Sequence, residues 1–250
     1  MPPVDEYQLL CERCGYVIGG LDESGACPEC GRPIAESLPQ RRRGTAAQIE
    51  PTLGALLRTA LDTALHRRAI WREVRIGFPT DDRMRRALLF GAAALVAMHA
   101  SILQALGLEQ RLGSMFEAVS VAIFLLLPLW TMVAWLVLAA LTEIERIGVQ
   151  IFGRMHGRRI TPAIATTIVS HASAGWLVGA VLLTPAWLAG RLLASAADHI
   201  GLLRWELVFA LPWLLPSLAA GAGLLLFETI TYHGVLRLRY ANRERPEPAP

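Results

Sequence analysis

Four long stretches without a charged residue constrain this chain more than any other feature. They run over residues 87–108, 118–142, 160–190 and 207–227. A bilayer has a hydrocarbon core of about 30 Å, which a helix crosses with about 20 apolar residues, so each stretch is long enough. Because only helices and closed barrels satisfy their backbone polar groups in lipid, the pattern predicts four transmembrane helices within residues 87–230, the third at about 162–190.

The overall composition supports this interpretation and excludes two other classes of protein. Apolar residues make up 54% of the chain and charged residues 18%, with a mean hydropathy of +0.41. Disorder over most of the chain is excluded, because disordered proteins combine low hydrophobicity with high net charge. A soluble all-α core is disfavoured, since four apolar runs of this length leave too little polar surface to cover them.

The positive charges predict how the chain is oriented in the membrane. All of them are Arg, and they are frequent before the first span, in the loop at 143–159 and after the last span. They are rare in the loops at 109–117 and 191–206. Because basic loops stay in the cytoplasm, this alternation predicts both termini on the cytoplasmic side of the cell's inner (cytoplasmic) membrane. The first 30 residues lack the pattern of a cleavable signal peptide, so the first span is expected to direct insertion.

The four cysteines form two matching motifs near the N-terminus. Cys11-Glu12-Arg13-Cys14-Gly15 and Cys27-Pro28-Glu29-Cys30-Gly31 each place two thiols three residues apart, with a glycine following. Glycine tolerates the positive φ of a tight turn, so each pair can ligate one metal ion and the two pairs together complete a tetrahedron. The spacing predicts a structural metal site with these ligands: Cys11, Cys14, Cys27 and Cys30.

Over residues 8–35 this pattern resembles the zinc-ribbon family, which implies a small β ribbon and a bound Zn²⁺. Two alternatives stay open: two disulfides, which a reducing cytoplasm disfavours, and iron in the same four-thiolate site. Four bound thiolates leave no open position for water, which argues against hydrolytic zinc catalysis. The ribbon is acidic, so nucleic acid is an unexpected partner and a protein partner is favoured.

The flanking regions complete the domain prediction. Residues 1–40 are predicted to form the ribbon, and 41–86 an Arg-rich linker with one amphipathic helix over 51–78, lying in the headgroup layer or packed on the cytoplasmic loops. Its apolar face is predicted to carry Leu53, Leu56, Leu57, Ala60, Ala64, Trp71, Val74 and Phe78. Residues 231–250 are predicted to be a basic and then Pro-rich tail, disordered from Glu244.

Few polar side chains fall inside the predicted spans. His99 and His171 are the ionisable ones, and they are interpreted either as interhelical hydrogen-bonding groups or as part of an intramembrane site. Gly175-x-x-x-Gly179 is compatible with close helix packing within the chain and with homo-oligomerisation. No catalytic motif is present, so an enzyme is not expected.

The order of these regions also resembles bacterial members of the Yip (Ypt-interacting-protein) membrane family. The resemblance rests on the cytoplasmic N-terminal region, the amphipathic helix, the multi-pass bundle and the basic loop Phe152–Arg159. That family typically has about five spans, and four are predicted here. The resemblance implies membrane organisation or protein docking.

The sequence therefore predicts an all-α polytopic membrane bundle of four transmembrane helices with a small N-terminal β zinc ribbon. The predicted function is that of a non-enzymatic membrane scaffold or adaptor that docks a cytoplasmic partner through the ribbon. The alternative is a small transporter or membrane-bound enzyme with a site around His99 and His171.

Overall fold

A computed structural model describes residues 5–199 and 205–245, with the backbone alone for 205–209, and it is mostly helical. The α-helices, in chain order, are α1 (Ala46–Ile49), α2 (Leu53–Leu65), α3 (Thr80–Leu112), α4 (Met115–Val121), α5 (Leu127–Met155), α6 (Pro162–Ala172), α7 (Ala174–His199) and α8 (Trp205–Leu238). A π-helical turn, Ala122–Leu126, joins α4 to α5, and short 3-10 helices occupy Ile34–Ser37, Pro39–Arg41 and Ile70–Arg72.

Short polar side chains start three of these helices. Thr52 accepts a hydrogen bond from the backbone N–H of Ala55 at α2, and Ser114 accepts one from Glu117 at α4. Thr161 accepts one from Ile164 at α6, where Pro162 follows in the first helical position. These contacts satisfy backbone donors that lack a partner in the first helical turn, which explains why the helices begin there.

Four helical segments in the described part of the chain are long and apolar enough to cross a membrane, which confirms the four long apolar helices that the sequence predicts. They are Thr80–Leu112, Met115–Met155, Pro162–His199 and Ala210–Leu238. Each is longer than the corresponding predicted span, and the first three contain that span entirely, whereas the fourth overlaps 207–227 from residue 210 onward. The third is interrupted at Ser173, where α6 ends and α7 begins.

The described chain divides into two compact units. The first unit contains Met1–Arg85, Thr142–Ala174 and Glu228–Pro250, and the second contains Arg86–Leu141 and Gly175–Phe227. The predicted domains at 1–40, 41–86, 87–230 and 231–250 follow sequence order instead. The compact units group segments that are distant in sequence, which hydropathy alone does not reveal.

The core of the first unit is built from bulky side chains. Trp71, Val74, Ile168 and Ile230 are almost completely buried there, and so is His171. Gly234 of α8 lets two of these side chains approach its backbone, because a Cβ at Gly234 would lie 3.0 Å from both Trp71 and Ile168. The first part of the predicted third span, α6, contributes to this core, and eight of its eleven residues are buried.

The second unit is held together by small residues. Gly175 and Gly179 face α8 closely, since a Cβ on Gly179 would lie 2.9 Å from the Cα of Gly223. Ala92, Ala93 and Ala97 of α3 are also fully buried. The Gly175-x-x-x-Gly179 pattern is therefore used for packing within the chain.

The cysteine-rich segment differs from the predicted β ribbon. Among the described residues it has no strand, and only two isolated antiparallel bridges occur there, Leu10–Val17 and Ala26–Pro33. Each bridge closes one tight turn around a cysteine pair.

The prediction of one helix over 51–78 is wrong. Helix α2 ends at Leu65, and Trp71 and Val74 are buried in the first unit, whereas Leu53 is 73% exposed and Leu57 52% exposed. The side chains expected on one apolar face therefore lie in two different environments.

The tail also differs from the prediction. Helix α8 continues to Leu238, and Glu244 pairs with Arg75 at 3.0 Å, so the described tail contacts the rest of the first unit. The remaining Pro-rich residues, 246–250, lie outside the described residues.

Candidate metal centre

The two cysteine motifs fold into equivalent knuckles. In the first, the N–H of Gly15 donates to the carbonyl of Cys11 at 2.8 Å, and the N–H of Cys11 donates to the carbonyl of Tyr16. In the second, Gly31 donates to Cys27 at the same distance. Gly15 and Gly31 have φ values of 81° and 71°, a left-handed conformation that favours glycine and lets both cysteines of each pair point inward.

The four sulfur atoms form one tight cluster. All lie within 4.8 Å of one another, with Cys11 Sγ 3.5 Å from Cys30 Sγ and Cys14 Sγ 3.7 Å from Cys27 Sγ. A tetrahedral site with Zn–S bonds of about 2.3 Å has sulfur–sulfur edges of about 3.8 Å, so the cluster has the size of such a site. The four thiols are free of disulfides. Cys11, Cys14, Cys27 and Cys30 are thus brought together as a possible metal site, as predicted.

The environment of the thiols also suits a bound cation. Burial acts to raise the pKa of Cys11, but hydrogen bonds from the backbone N–H groups of Cys14 and Arg13 lower that pKa to about 7. At Cys14, burial and the hydrogen bonds to the other cysteine sulfurs raise the pKa to about 12. Four thiolates this close repel one another, and a divalent metal ion is what would allow all of them to lose their protons.

A small apolar core supports the cluster. Ile18 and Ile34 are buried against Cys11 and Cys27, each with 3% or less of its surface exposed. Such a core is too small to fold this segment alone, so the metal would supply much of its stability.

A buried amide attaches the first knuckle to the end of the described chain. Asn242 accepts a hydrogen bond from the N–H of Leu10 at 2.9 Å, and its amide N–H₂ donates to the carbonyls of Leu10 and Ser37 at 2.7 and 2.6 Å. Asn242 is 1% exposed, so these bonds are shielded from water. Sequence reasoning missed this residue, which lay in a segment predicted to be a tail.

Arg159 reinforces the same attachment. It donates to the side-chain oxygen of Asn242 at 2.9 Å, to the carbonyl of Ala241 at 2.8 Å and to the carbonyl of Gln8. Burial lowers the pKa of Arg159, while the nearby acidic residues of the N-terminal segment oppose that shift. An arginine keeps its charge under these conditions, so Arg159 provides a buried cation that holds three chain segments together.

A second buried arginine attaches the knuckle on another side. Arg42 pairs with Glu12 at 2.8 Å, and it also donates to the carbonyls of Trp71 at 2.8 Å and Val74 at 3.1 Å. The side chains of Arg42 and Glu12 are 5% and 10% exposed. Arg42 belongs to the run Arg41-Arg42-Arg43, and the sequence does not indicate which of the three is buried.

The two histidines of the predicted spans belong to different compact units. His171, in the first unit, is 1% exposed, and its Nδ1 lies 2.9 Å from the carbonyl oxygen of Thr167. His99, in the second unit, lies 3.3 Å from the hydroxyl of Thr184. Each has one ring nitrogen within hydrogen-bonding distance of a neighbouring group, as packed residues do. Within the described residues, the cysteine cluster is the one group with the geometry of a metal site.

Comparisons with protein-family models, with curated proteins and with solved structures find no match to this chain. The resemblance to the Yip family therefore has no support from a related protein.

Proposed function

We propose that this chain is an integral membrane protein that uses a zinc-bound cytoplasmic module to dock a partner protein at the membrane. The observation that carries the docking role is the combination of a closed four-cysteine site with exposed apolar side chains beside it. The proposal has three parts, namely membrane insertion, zinc binding and docking, and each has its own support and its own test.

Membrane insertion is supported by the exposure of the apolar helices. In the segment Met115–Met155, only 6% of the most apolar 18-residue stretch is buried inside the protein, although this segment is the most hydrophobic of the four. A surface this apolar needs a lipid environment or further protein to cover it. The alternation of Arg between loops supports a topology in which both termini lie on the cytoplasmic side of a bacterial-type inner membrane.

Reporter fusions test this topology. Alkaline phosphatase, which is active outside the cytoplasm, is expected to be active when fused after Gly113 and inactive when fused after Gly157. A fluorescent protein that folds only in the cytoplasm should give the opposite result. Activity of the phosphatase at both positions, or at neither, would contradict the four-span topology.

Zinc is the proposed metal because four thiolates at tetrahedral distances match its preferred coordination. The four ligands would hold it without an open position, so its contribution is structural. Metal analysis of the purified protein is expected to give one zinc ion per chain, and iron would instead give a coloured protein.

The docking role follows from what the knuckles expose. Tyr16, Val17 and Leu21 are 42%, 46% and 38% exposed, although all three are large and apolar. They follow directly on the first cysteine pair, whose metal would fix the backbone that carries them. A rigid turn that presents apolar side chains, with no open metal position, suits binding of a partner better than catalysis.

Partner identification tests the docking role. We expect one cytoplasmic protein to copurify from mild detergent with the wild type and to be lost with the variant Tyr16→Ser/Val17→Ser/Leu21→Ser. The matched control is Leu53→Ser/Leu57→Ser/Leu61→Ser, which removes three exposed apolar side chains from α2 instead. An identical set of proteins from both variants would refute docking through the knuckles, provided that both retain their zinc.

A further inference from the structure

The first unit contains a cavity lined by an unusual number of arginines. Its volume is about 390 Å³, within the range of about 300–1,000 Å³ that is typical of small-molecule sites. Trp71, Leu38 and Leu236 provide its apolar wall. Seven arginines line it: Arg13, Arg32, Arg41, Arg42, Arg72, Arg237 and Arg239.

Two carboxylates also line the cavity, and arginines already neutralise both. Glu12 pairs with Arg42 at 2.8 Å, and Glu36 pairs with Arg32 at 3.1 Å. Glu36 also accepts a hydrogen bond at its backbone carbonyl, from Arg41 at 2.7 Å. These contacts account for the negative charge around the cavity.

Five of the seven arginines retain an uncompensated charge. Arg41 and Arg239 donate only to backbone carbonyls, at 2.7 and 3.1 Å. None of the five forms an ion pair with a carboxylate of residues 5–199 or 205–245. They are Arg13, Arg41, Arg72, Arg237 and Arg239.

These five charges come from separate parts of the chain. Arg13 lies in the first knuckle, Arg41 and Arg72 in two 3-10 helices, and Arg237 and Arg239 at or just after the end of α8. Like charges brought together by folding repel one another and destabilise the compact state. Four of the five arginines are exposed and Arg239 is half-buried, so an anion has open access to them. An anion bound among them would remove that repulsion.

We propose that this cavity binds a phosphate-bearing anion with more than one negative charge, such as a diphosphate group. Guanidinium groups match phosphate oxygens with paired hydrogen bonds, and each phosphate group carries one to two negative charges at neutral pH. A single carboxylate would leave most of the positive charge unpaired. The phosphate groups come either from a soluble molecule or from the headgroup of an anionic phospholipid.

Calorimetric titration of the full-length protein tests the site. The protein is placed in nanodiscs of neutral lipid and titrated with inorganic pyrophosphate. The variant Arg72→Gln/Arg237→Gln removes two of the five charges, and we expect it to weaken binding about tenfold or more, because each arginine makes charge-assisted hydrogen bonds to phosphate.

The matched control is Arg67→Gln/Arg68→Gln. It removes the same charge from two exposed arginines that do not line the cavity. Binding should change by about twofold or less, since only the general field of the protein is altered. Equal losses in both variants would overturn the proposal, because they would show attraction to net charge rather than a site.

A second arm distinguishes the two sources of phosphate. Nanodiscs that contain phosphatidylglycerol or a phosphorylated inositol lipid are compared with neutral ones. If pyrophosphate binds in neutral nanodiscs and the anionic lipids do not compete, the ligand is soluble. If only the lipids bind, and the cavity variant alone loses them, the ligand is a headgroup. Absence of binding in both arms would overturn the proposal.

Zinc content and gel filtration show whether the cavity variant is folded. If the double variant is not folded, Arg72→Gln and Arg237→Gln are measured singly, and each is expected to weaken binding about threefold. Unchanged affinity in both single variants would then refute the site.

Discussion

The two compact units of this protein are stabilised by different kinds of contact. The first unit depends on buried polar side chains that reach across long stretches of sequence, as Asn242 and Arg42 do. The second depends on small residues that let helix backbones approach, as Gly179 and Gly223 do. Side-chain hydrogen bonds are specific and few, so losing one is costly, whereas close packing is spread over many weak contacts. The two units should therefore respond differently to substitution.

Removal of the metal should show the difference between the two units most clearly. The variant Cys11→Ser/Cys27→Ser is expected to lose the proposed zinc ion and the structure of residues 5–41, because a structural zinc site contributes about 10–16 kcal/mol. Trypsin should then cleave after Arg13, while far-UV circular dichroism shows the long helices unchanged. The control Ser24→Ala changes an exposed turn between the knuckles, and this variant should retain both its zinc and its resistance to trypsin. A metal-free variant that resisted trypsin as the wild type does would contradict the structural role of the site.

Substitution of the buried amide should have the next largest effect. Asn242→Leu removes three hydrogen bonds to the backbone and leaves Arg159 with one partner fewer, at an expected cost of about 2–4 kcal/mol. The rate of zinc transfer to a chelator measures this loss, since the knuckle is held by those bonds. Gln150→Leu removes a half-exposed amide with one hydrogen bond, to the carbonyl of Arg146, and should leave the rate nearly unchanged. Equal rates in the two variants would show that Asn242 does not hold the knuckle.

A methyl group at a close contact between helices should destabilise the second unit alone. In Gly223→Ala, the new Cβ would lie 2.6 Å from the Cα of Gly179, and overpacking of this kind costs about 1–3 kcal/mol. Gly221→Ala makes the same change two residues away, where nothing lies within 4 Å of the new atom. The thermal unfolding temperature in detergent should therefore be lowered by Gly223→Ala and not by Gly221→Ala. The rate of zinc release should be unaffected by either substitution. A faster zinc release in Gly223→Ala would mean that the two units are not independently stabilised.

The smallest effect is expected at a partly exposed ion pair of the first unit. Glu6→Gln breaks the pair with Arg243, which has a distance of 3.0 Å and side chains that are 30% exposed. Such pairs contribute about 1 kcal/mol or less, and salt screens them. The rate of zinc transfer to the chelator should increase slightly at low salt, and this increase should disappear at high salt. An acceleration as large as that of Asn242→Leu would mean that the first unit depends on charge more than on buried hydrogen bonds.

The features that the sequence predicts correctly are local. Four apolar runs predict four long apolar helices, because length and hydropathy are properties of each run by itself. Two cysteine pairs predict a four-sulfur cluster for the same reason, since the turn geometry is set within five residues of each pair.

The features that the sequence does not predict depend on distant contacts. Asn242 contacts Leu10 across 232 positions, and no spacing or periodicity marks it as buried. The prediction of one helix over 51–78 is wrong for a related reason. Trp71 and Val74 are buried in the core of the first unit and do not continue the apolar face of α2. The arginine-lined cavity is likewise assembled from segments that look like solvated basic runs.

The pairing of Leu10 with Asn242 has a consequence for biosynthesis. The ribosome releases the knuckle early, whereas the amide that fastens it emerges 232 positions later, after every apolar helix has been translated. During that interval the cysteines can take up their metal and Glu12 can pair with Arg42, but the hydrogen bonds from Asn242 to Leu10 and Ser37 are missing. The attachment of the cysteine-rich segment is therefore complete only after the last described segment has been synthesised. A nascent polypeptide stalled before that point would carry an N-terminal segment that is less firmly attached and more accessible to proteases.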